Sequence, residues 1–196
     1  MPAQFDPAQE LSDIRSMMER SSKVLFLSGR AGIAVGVVAL VGFAYEQYIY
    51  FRVPFENLHA YLLADALTVL AVSIVLATYY SSKMAKQKGL PLWNATTKHL
   101  VAELAIPLAA GGIFCISLLV HRTFTLLPAS MLAFYGLALL NASKYTVREV
   151  RYLGLVQLVL GLLASFLPDS GSILWAVGFG IVHILFGLRI FFKYER

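Results

Sequence analysis

Cysteine is nearly absent from this 196-residue chain: Cys115 stands alone, so no intramolecular disulfide and no cysteine-based metal cluster can form. Charge is scarce too, at 14% of residues against about 25% in ordinary soluble domains, while 59% are hydrophobic. The sixteen Lys and Arg leave a net charge of +5, yet they sit between apolar runs and not on one face or in one tail. That distribution excludes a nucleic-acid footprint. The first twenty residues lack the pattern of a secretory leader, because Asp6, Glu10, Asp13 and Glu19 stand where a basic stretch and an apolar core belong. Membrane insertion is therefore expected to use the first apolar span. Catalytic signatures are missing in the same way. There is no G-x-S-x-G elbow, P-loop or dinucleotide fingerprint, and Gly178-x-Gly180 lacks the strand-turn-helix setting that would give its glycines that meaning. The chain is read as a non-enzyme without a cofactor.

What is abundant is apolar length. Mean hydropathy is +0.72, and six apolar segments, at about 29–51, 58–81, 99–121, 124–142, 150–167 and 172–192, each approach the roughly 17–25 residues that a span requires. Pro54, Gly89 with Pro91, Arg122 to Thr125, Lys144 to Arg148 and Pro168 to Gly171 fall between them as breakers. Asn94, Thr125 and Asp169 or Ser170 are candidate N-caps for the segments that follow. Ahead of the spans, residues 6–27 read as an amphipathic helix: Asp6 as N-cap, Pro7 at N1, then Leu11, Ile14, Met18 and Leu25 near helical spacing. The expected fold is all-α. An N-terminal cytoplasmic amphipathic helix and lead-in segment (1–28) precede a polytopic transmembrane bundle of six helices (29–196).

Basic residues set the orientation. Fourteen of the sixteen fall on one side: the N-terminus, the second and fourth connections and the C-terminus. Only Arg52 and Arg122 fall on the other. Lys and Arg resist translocation, so the populated side is expected to be cytoplasmic, with both termini inside. Twelve of the fourteen glycines lie within the spans, and Ser28, Gly32 and Gly36 form a small-xxx-small run, as do Ala176 and Gly180. Packing within the bundle is favoured for these runs over a dimer seam, since a compact bundle needs the same small residues.

Ionisable residues inside spans are costly, about 2.5–3.5 kcal/mol at the bilayer centre, so each should face a partner, a wet cavity or a ligand. Asp65 lies about 10 Å inside the outer end of the second span, at ~1.5 Å per residue. It is read either as a protonatable site open to the outside or as a structural partner of His121 or Arg52. Glu103 precedes Pro107 by four positions, and a helix proline leaves the carbonyl four residues back without its hydrogen bond. A carbonyl bared beside a carboxylate could hold a cation or a proton. Alternatively Glu103 pairs with Arg30 or Arg189 at similar depth. His183 alone lies near mid-membrane, where a lone histidine is more often a hydrogen-bonded packing residue than a ligand. The outer group of His59, His121, Asp65, Glu46 and Glu56 has metal-binding atom types, but no His-Glu-x-x-His and no histidine pair at i,i+4, so no metal site is expected.

Four stretches are distinctive: SDIRSMMERSSKVLFLSGRAGIAVG, LAIPLAAGGIFC, FYGLALLNASKYTVREVRYLG and WAVGFGIVHILFG before a terminal KYER. Through them the chain resembles an uncharacterised family of bacterial integral membrane proteins, over most of its length from about Leu11 to Arg196. The resemblance implies a six-helix bundle in a bacterial inner membrane. It carries no activity, cofactor or ligand with it. On the residues, the leading reading is binding or transport of a proton, ion or small solute through Asp65 and Glu103, with Arg30, His121, His183 and Arg189 as further binding candidates. The alternative is a non-catalytic membrane anchor or regulatory partner of another protein. The expected surroundings are the lipid bilayer and a homo-oligomeric or protein partner.

Overall fold

The computed structural model describes residues 28–89, 91 and 93–196, without the side chain of residue 55. The amphipathic helix expected over 6–27 lies outside the described residues. From Ser28 onward the chain is an all-α bundle of six helices long and apolar enough to cross a membrane. They are α1 (Gly29–Arg52), α2 (Phe55–Gln87), α3 (Ala95–Val120), α4 (Leu127–Ala142), α5 (Glu149–Phe166) and a composite last span. That last span runs through α6 (Gly171–Trp175), a π-helical stretch (Ala176–Val182) and α7 (His183–Tyr194).

Local chemistry explains most of the boundaries. Asn94 caps α3, its side chain accepting the Thr97 backbone N–H at 2.8 Å and the Thr97 hydroxyl at 3.0 Å. Gly89, at φ 64°, takes the left-handed conformation that ends a helix cheaply after α2. Two of the expected caps differ. Thr125 lies within a 3₁₀ turn (Phe124–Leu126) and α4 starts at Leu127, with Pro128 in its first turn, where a missing N–H costs nothing. Ser170 takes the N-cap position of α6 without a side-chain cap bond. The second span also outruns its apolar segment. At 33 residues α2 is about 50 Å long against a hydrocarbon core of ~30 Å, because SSKMAKQ contains no breaker and its Lys, Met, Ala and Gln favour helix once in water.

Two glycine-lined seams hold the bundle together. Between α1 and the last span, a Cβ on Gly32 would lie 2.9 Å from Gly187 Cα, and one on Gly36 would lie 2.7 Å from the Gly180 carbonyl oxygen. Between α4 and α5, a Cβ on Gly136 would lie 2.6 Å from the Leu158 backbone nitrogen. Backbones at this separation gain dispersion contacts that larger side chains would prevent, which is how helices associate in a solvent as apolar as their own side chains. The small-residue run of Ser28, Gly32 and Gly36 thus packs within the chain. Larger side chains fill the remaining core: Leu139, Val150, Leu153 and Ile190 in one cluster, Ala129, Leu132 and Ala164 beneath Trp175 and Phe179 in another. The flanking helices are different, α2 packing chiefly on α1 and α3 chiefly on α4.

Ion pairs join the end of the last span to the starts of α1 and α5 at the basic face of the bundle. Glu195 accepts from the Gly29 backbone N–H and lies 3.6 Å from Arg30 Nε. Glu149 pairs with Lys193 and accepts from the Tyr194 hydroxyl at 3.3 Å. The last span is thereby tied to both α1 and α5.

Candidate functional site

The structure sorts the intramembrane polar groups into three places. The deepest is built on the π-helical stretch. His183 is 4% exposed and Gln157, from α5, is fully buried. His183 Nδ1 lies 2.9 Å from the Gly178 carbonyl oxygen, an acceptor only, so Nδ1 carries the proton and Nε2 accepts from the Tyr135 hydroxyl at 3.0 Å. Gln157 Nε2 donates to the same Gly178 carbonyl at 2.8 Å. Turning the Gln157 amide over would set oxygen against oxygen, so its orientation is fixed by Gly178. The consequence is that Gln157 Oε1 has no hydrogen-bond partner among the described residues.

Gly178 lets the Gln157 and Leu132 side-chain ends close over the last span: a Cβ there would lie 2.6 Å from Gln157 Oε1 and 2.5 Å from Leu132 Cδ2, and both would have to shift. Trp175, Phe179 and His183 recur every four residues along one face, with ring centroids 5.1 and 5.8 Å apart, and the Tyr135 ring stacks on His183 at 5.5 Å. This site joins α5 to the last span through the Gly178 carbonyl and α4 to it through His183 Nε2. The sequence offered His183 but not its mates, because Tyr135 and Gln157 reach it across 48 and 26 residues of chain.

The second place lies nearer the sparsely basic end, between α1 and α2. Gly42 has no side chain, and a Cβ there would fall 3.8 Å from Asp65 Oδ1 and against Val69, so Asp65 faces α1 where that helix is bare. One turn further along α1, Glu46 accepts from the Ser172 hydroxyl of α6 at 2.8 Å. Asp65 therefore lies against the Gly42 face of α1, one turn from Glu46, and forms no ion pair with His121 or Arg52. His121 is exposed at the end of α3, and Arg52 is exposed with its guanidinium 6.0 Å from the Tyr48 ring. Glu46 was legible only as one member of a loose outer group; its register with Asp65 depends on how α1 and α2 cross.

The third place is the Pro107 kink. The Glu103 carbonyl is not bare, because Asn141 Nδ2 of α4 donates to it at 3.3 Å and Lys144 Nζ in turn donates to Asn141 Oδ1 at 3.2 Å. An amide from the facing helix thus replaces the backbone N–H that proline removes. The expected pairing of Glu103 with Arg30 or Arg189 is not formed. Arg30 pairs with Glu195, Arg189 is exposed, and the ion pairs among the described residues are those of Glu195 and Glu149. Nor do any three His, Cys, Asp or Glu side chains converge as a metal set among the described residues.

Fold and sites together define a multi-pass helical membrane protein with polar groups held inside its spans. No protein-family model, no curated protein and no solved structure matches the chain.

Proposed function

We propose that the protein binds, and moves across the membrane, a proton or small monovalent cation at the carboxylate pair of Glu46 and Asp65. The observation that carries this reading is that Asp65 of α2 faces the bare Gly42 position of α1, one turn from Glu46, inside the membrane, while neither carboxylate forms an ion pair among the described residues. Like charges in a poorly polarisable setting cannot both persist without a shared proton or a counter-cation. The Ser172 hydroxyl holds Glu46 in place, and the bare surface at Gly42 admits Asp65. Glu103 is a weaker candidate than its position by the proline promised, since the carbonyl beside it is already taken.

The setting proposed is a bacterial inner membrane with the basic end of the bundle cytoplasmic. Support comes from the fourteen-to-two split of basic residues and from the family resemblance. The alternative role as an anchor or regulatory partner rests on the helix expected over 6–27, which lies outside the described residues, and on small-residue faces, of which the Gly32 and Gly36 stripe packs within the chain.

The test is flux into proteoliposomes carrying a pH-sensitive dye, under imposed proton and sodium gradients. Wild-type protein is expected to dissipate a gradient, and Glu46→Gln and Asp65→Asn each to reduce the rate at least tenfold while eluting as folded protein. Glu103→Gln should retain most of it. Wild-type vesicles that leak no faster than empty ones, or rates unchanged in Glu46→Gln and Asp65→Asn, would sink the proposal.

A further inference from the structure

The last span changes register part-way along its length. Its π-helical stretch, Ala176–Val182, takes up one residue more than an α-helical turn would. Beyond that stretch the span is fixed on α1, where a Cβ on Gly187 would fall 2.6 Å from the Gly29 carbonyl oxygen. Before it lies α6, which carries Ser172, the donor to Glu46. Were the extra residue let out while α7 stayed in place, α6 would turn by about 100° and move by about 1.5 Å. Ile173 would then stand where Ser172 stands, and Ser172 where Gly171 meets Pro128. Glu46 would face an apolar side chain and lose its donor.

What retains the extra residue is found at Gly178. A carbonyl oxygen has two lone pairs, and side chains engage both: Gln157 Nε2 donates at 2.8 Å and His183 Nδ1 at 2.9 Å. Neither is left for the Val182 N–H, which an α-helical turn would aim at that oxygen. His183 is held in turn by the Tyr135 hydroxyl at 3.0 Å. Gln157 comes from α5, outside the last span, and is fully buried. It serves the carbonyl while its own Oε1 has no partner among the described residues. We propose that Gln157 is a positioning residue for the cation site: its amide locks the π register, and that register keeps Ser172 on Glu46. The link to a cation rests on the carboxylate reading above; the lock on the register does not.

Disulfide cross-linking of the full chain tests the register without any transport measurement. A Cβ on Gly171 would lie 3.5 Å from Pro128 Cβ, within the roughly 3.5–4.5 Å that a disulfide spans. In a Cys115→Ser background, Pro128→Cys with Gly171→Cys should therefore join under mild oxidation at least tenfold faster than Pro128→Cys with Ser172→Cys. Adding Gln157→Leu frees a lone pair for the Val182 N–H, and the order of the two pairs is expected to reverse. Gln157→Asn, one methylene too short to reach Gly178, should reverse it as well and keeps a polar group should the leucine variant misfold. The original order in these variants would overturn the proposal.

Flux into proteoliposomes reads the link to the carboxylates. Ser172→Ala and Gln157→Leu should each raise the half-saturating sodium or proton concentration about tenfold, the effect of losing one hydrogen bond to a charged group. The double variant should be no worse than either, since both remove the same bond. Deleting Val177 from the Gln157→Leu variant takes out the surplus residue and returns Ser172 to Glu46 on an unbroken α-helix, so it should restore both the cross-linking order and the half-saturation. A purely structural Gln157 would lower the melting temperature and leave half-saturation unchanged. That result, or additive losses in the double variant, counts against the proposal. Wild-type vesicles no leakier than empty ones would remove the carboxylate reading alone, and the cross-linking order would still decide the register.

Discussion

The flanking helix α2 and the inner helix α5 make an instructive pair. The most apolar window of α2 has a mean hydropathy of 2.2 and no buried residue, whereas that of α5 has a mean hydropathy of only 1.4 with 39% of its residues buried. In a soluble protein the order would be reversed, because burial there is driven by escape from water. In a bilayer the lipid already solvates leucine and valine, so a strongly apolar face has no reason to leave it. Helices are drawn inward by small residues that let backbones touch and by polar groups that must find partners. α5 has both, in Gly154, Gly161 and Gln157.

If this contrast is correct, the severest substitutions lie on the glycine seams and not at the most apolar positions. A Cβ at Gly187 would come 2.5 Å from the Ile33 backbone nitrogen and 2.9 Å from the Gly32 carbonyl carbon, atoms that cannot swing aside. Gly187→Val is expected to cost about 3 kcal/mol or more, the upper range of overpacking, or to prevent folding, as read from unfolding in graded denaturing detergent. A melting curve like wild type would show that the seam yields.

A smaller loss is expected at the centre of the inner set. Tyr135→Phe removes the hydroxyl that donates to His183 Nε2 and leaves that nitrogen buried without a partner, at a cost of about 1–3 kcal/mol. Gln157→Leu in the Tyr135→Phe background tests the coupling, since a double-mutant cycle shows whether Tyr135, at His183 Nε2, and Gln157, at the Gly178 carbonyl that His183 Nδ1 also uses, belong to one network. Strict additivity would argue against one network.

The smallest effect belongs to the flank. Leu67 on α2 is 57% exposed, and Leu67→Ala is expected to change stability by less than about 0.5 kcal/mol. Leu132, fully buried under the last span, should lose roughly 2–5 kcal/mol on the same truncation. Similar losses at both leucines, measured by the same detergent titration, would mean that α2 is buried against something beyond this chain.

The six spans, the Asn94 cap and the basic asymmetry were readable along the chain because each is a local property: apolar length, one side chain reaching a backbone N–H three residues on, and the spacing of Lys and Arg between segments. The intramolecular packing of the Ser28, Gly32 and Gly36 run was also anticipated, since small residues every four positions make one helical stripe. The sites were legible only in part. Asp65, Glu103 and His183 stood out as polar groups in apolar runs, but a hydropathy pattern says nothing about azimuth, so the partners proposed for Asp65 and Glu103 were chosen by depth alone.

Crossing helices decided those partners. Glu46 reaches the same patch as Asp65 because Gly42 lets α2 approach α1, and Asn141 meets the Glu103 carbonyl because α4 lies against the proline kink. The π-helical stretch was equally hidden, since the extra residue in its turn serves to bring the Gly178 carbonyl against Gln157 and His183, groups separated by 21 and 5 positions. Local sequence thus determined which segments are long and apolar enough to cross a membrane, for that depends on transfer free energies summed over neighbouring residues. Which polar groups meet inside it was left to helix packing, because in lipid that choice is made by steric fit between faces that sequence periodicity alone does not align.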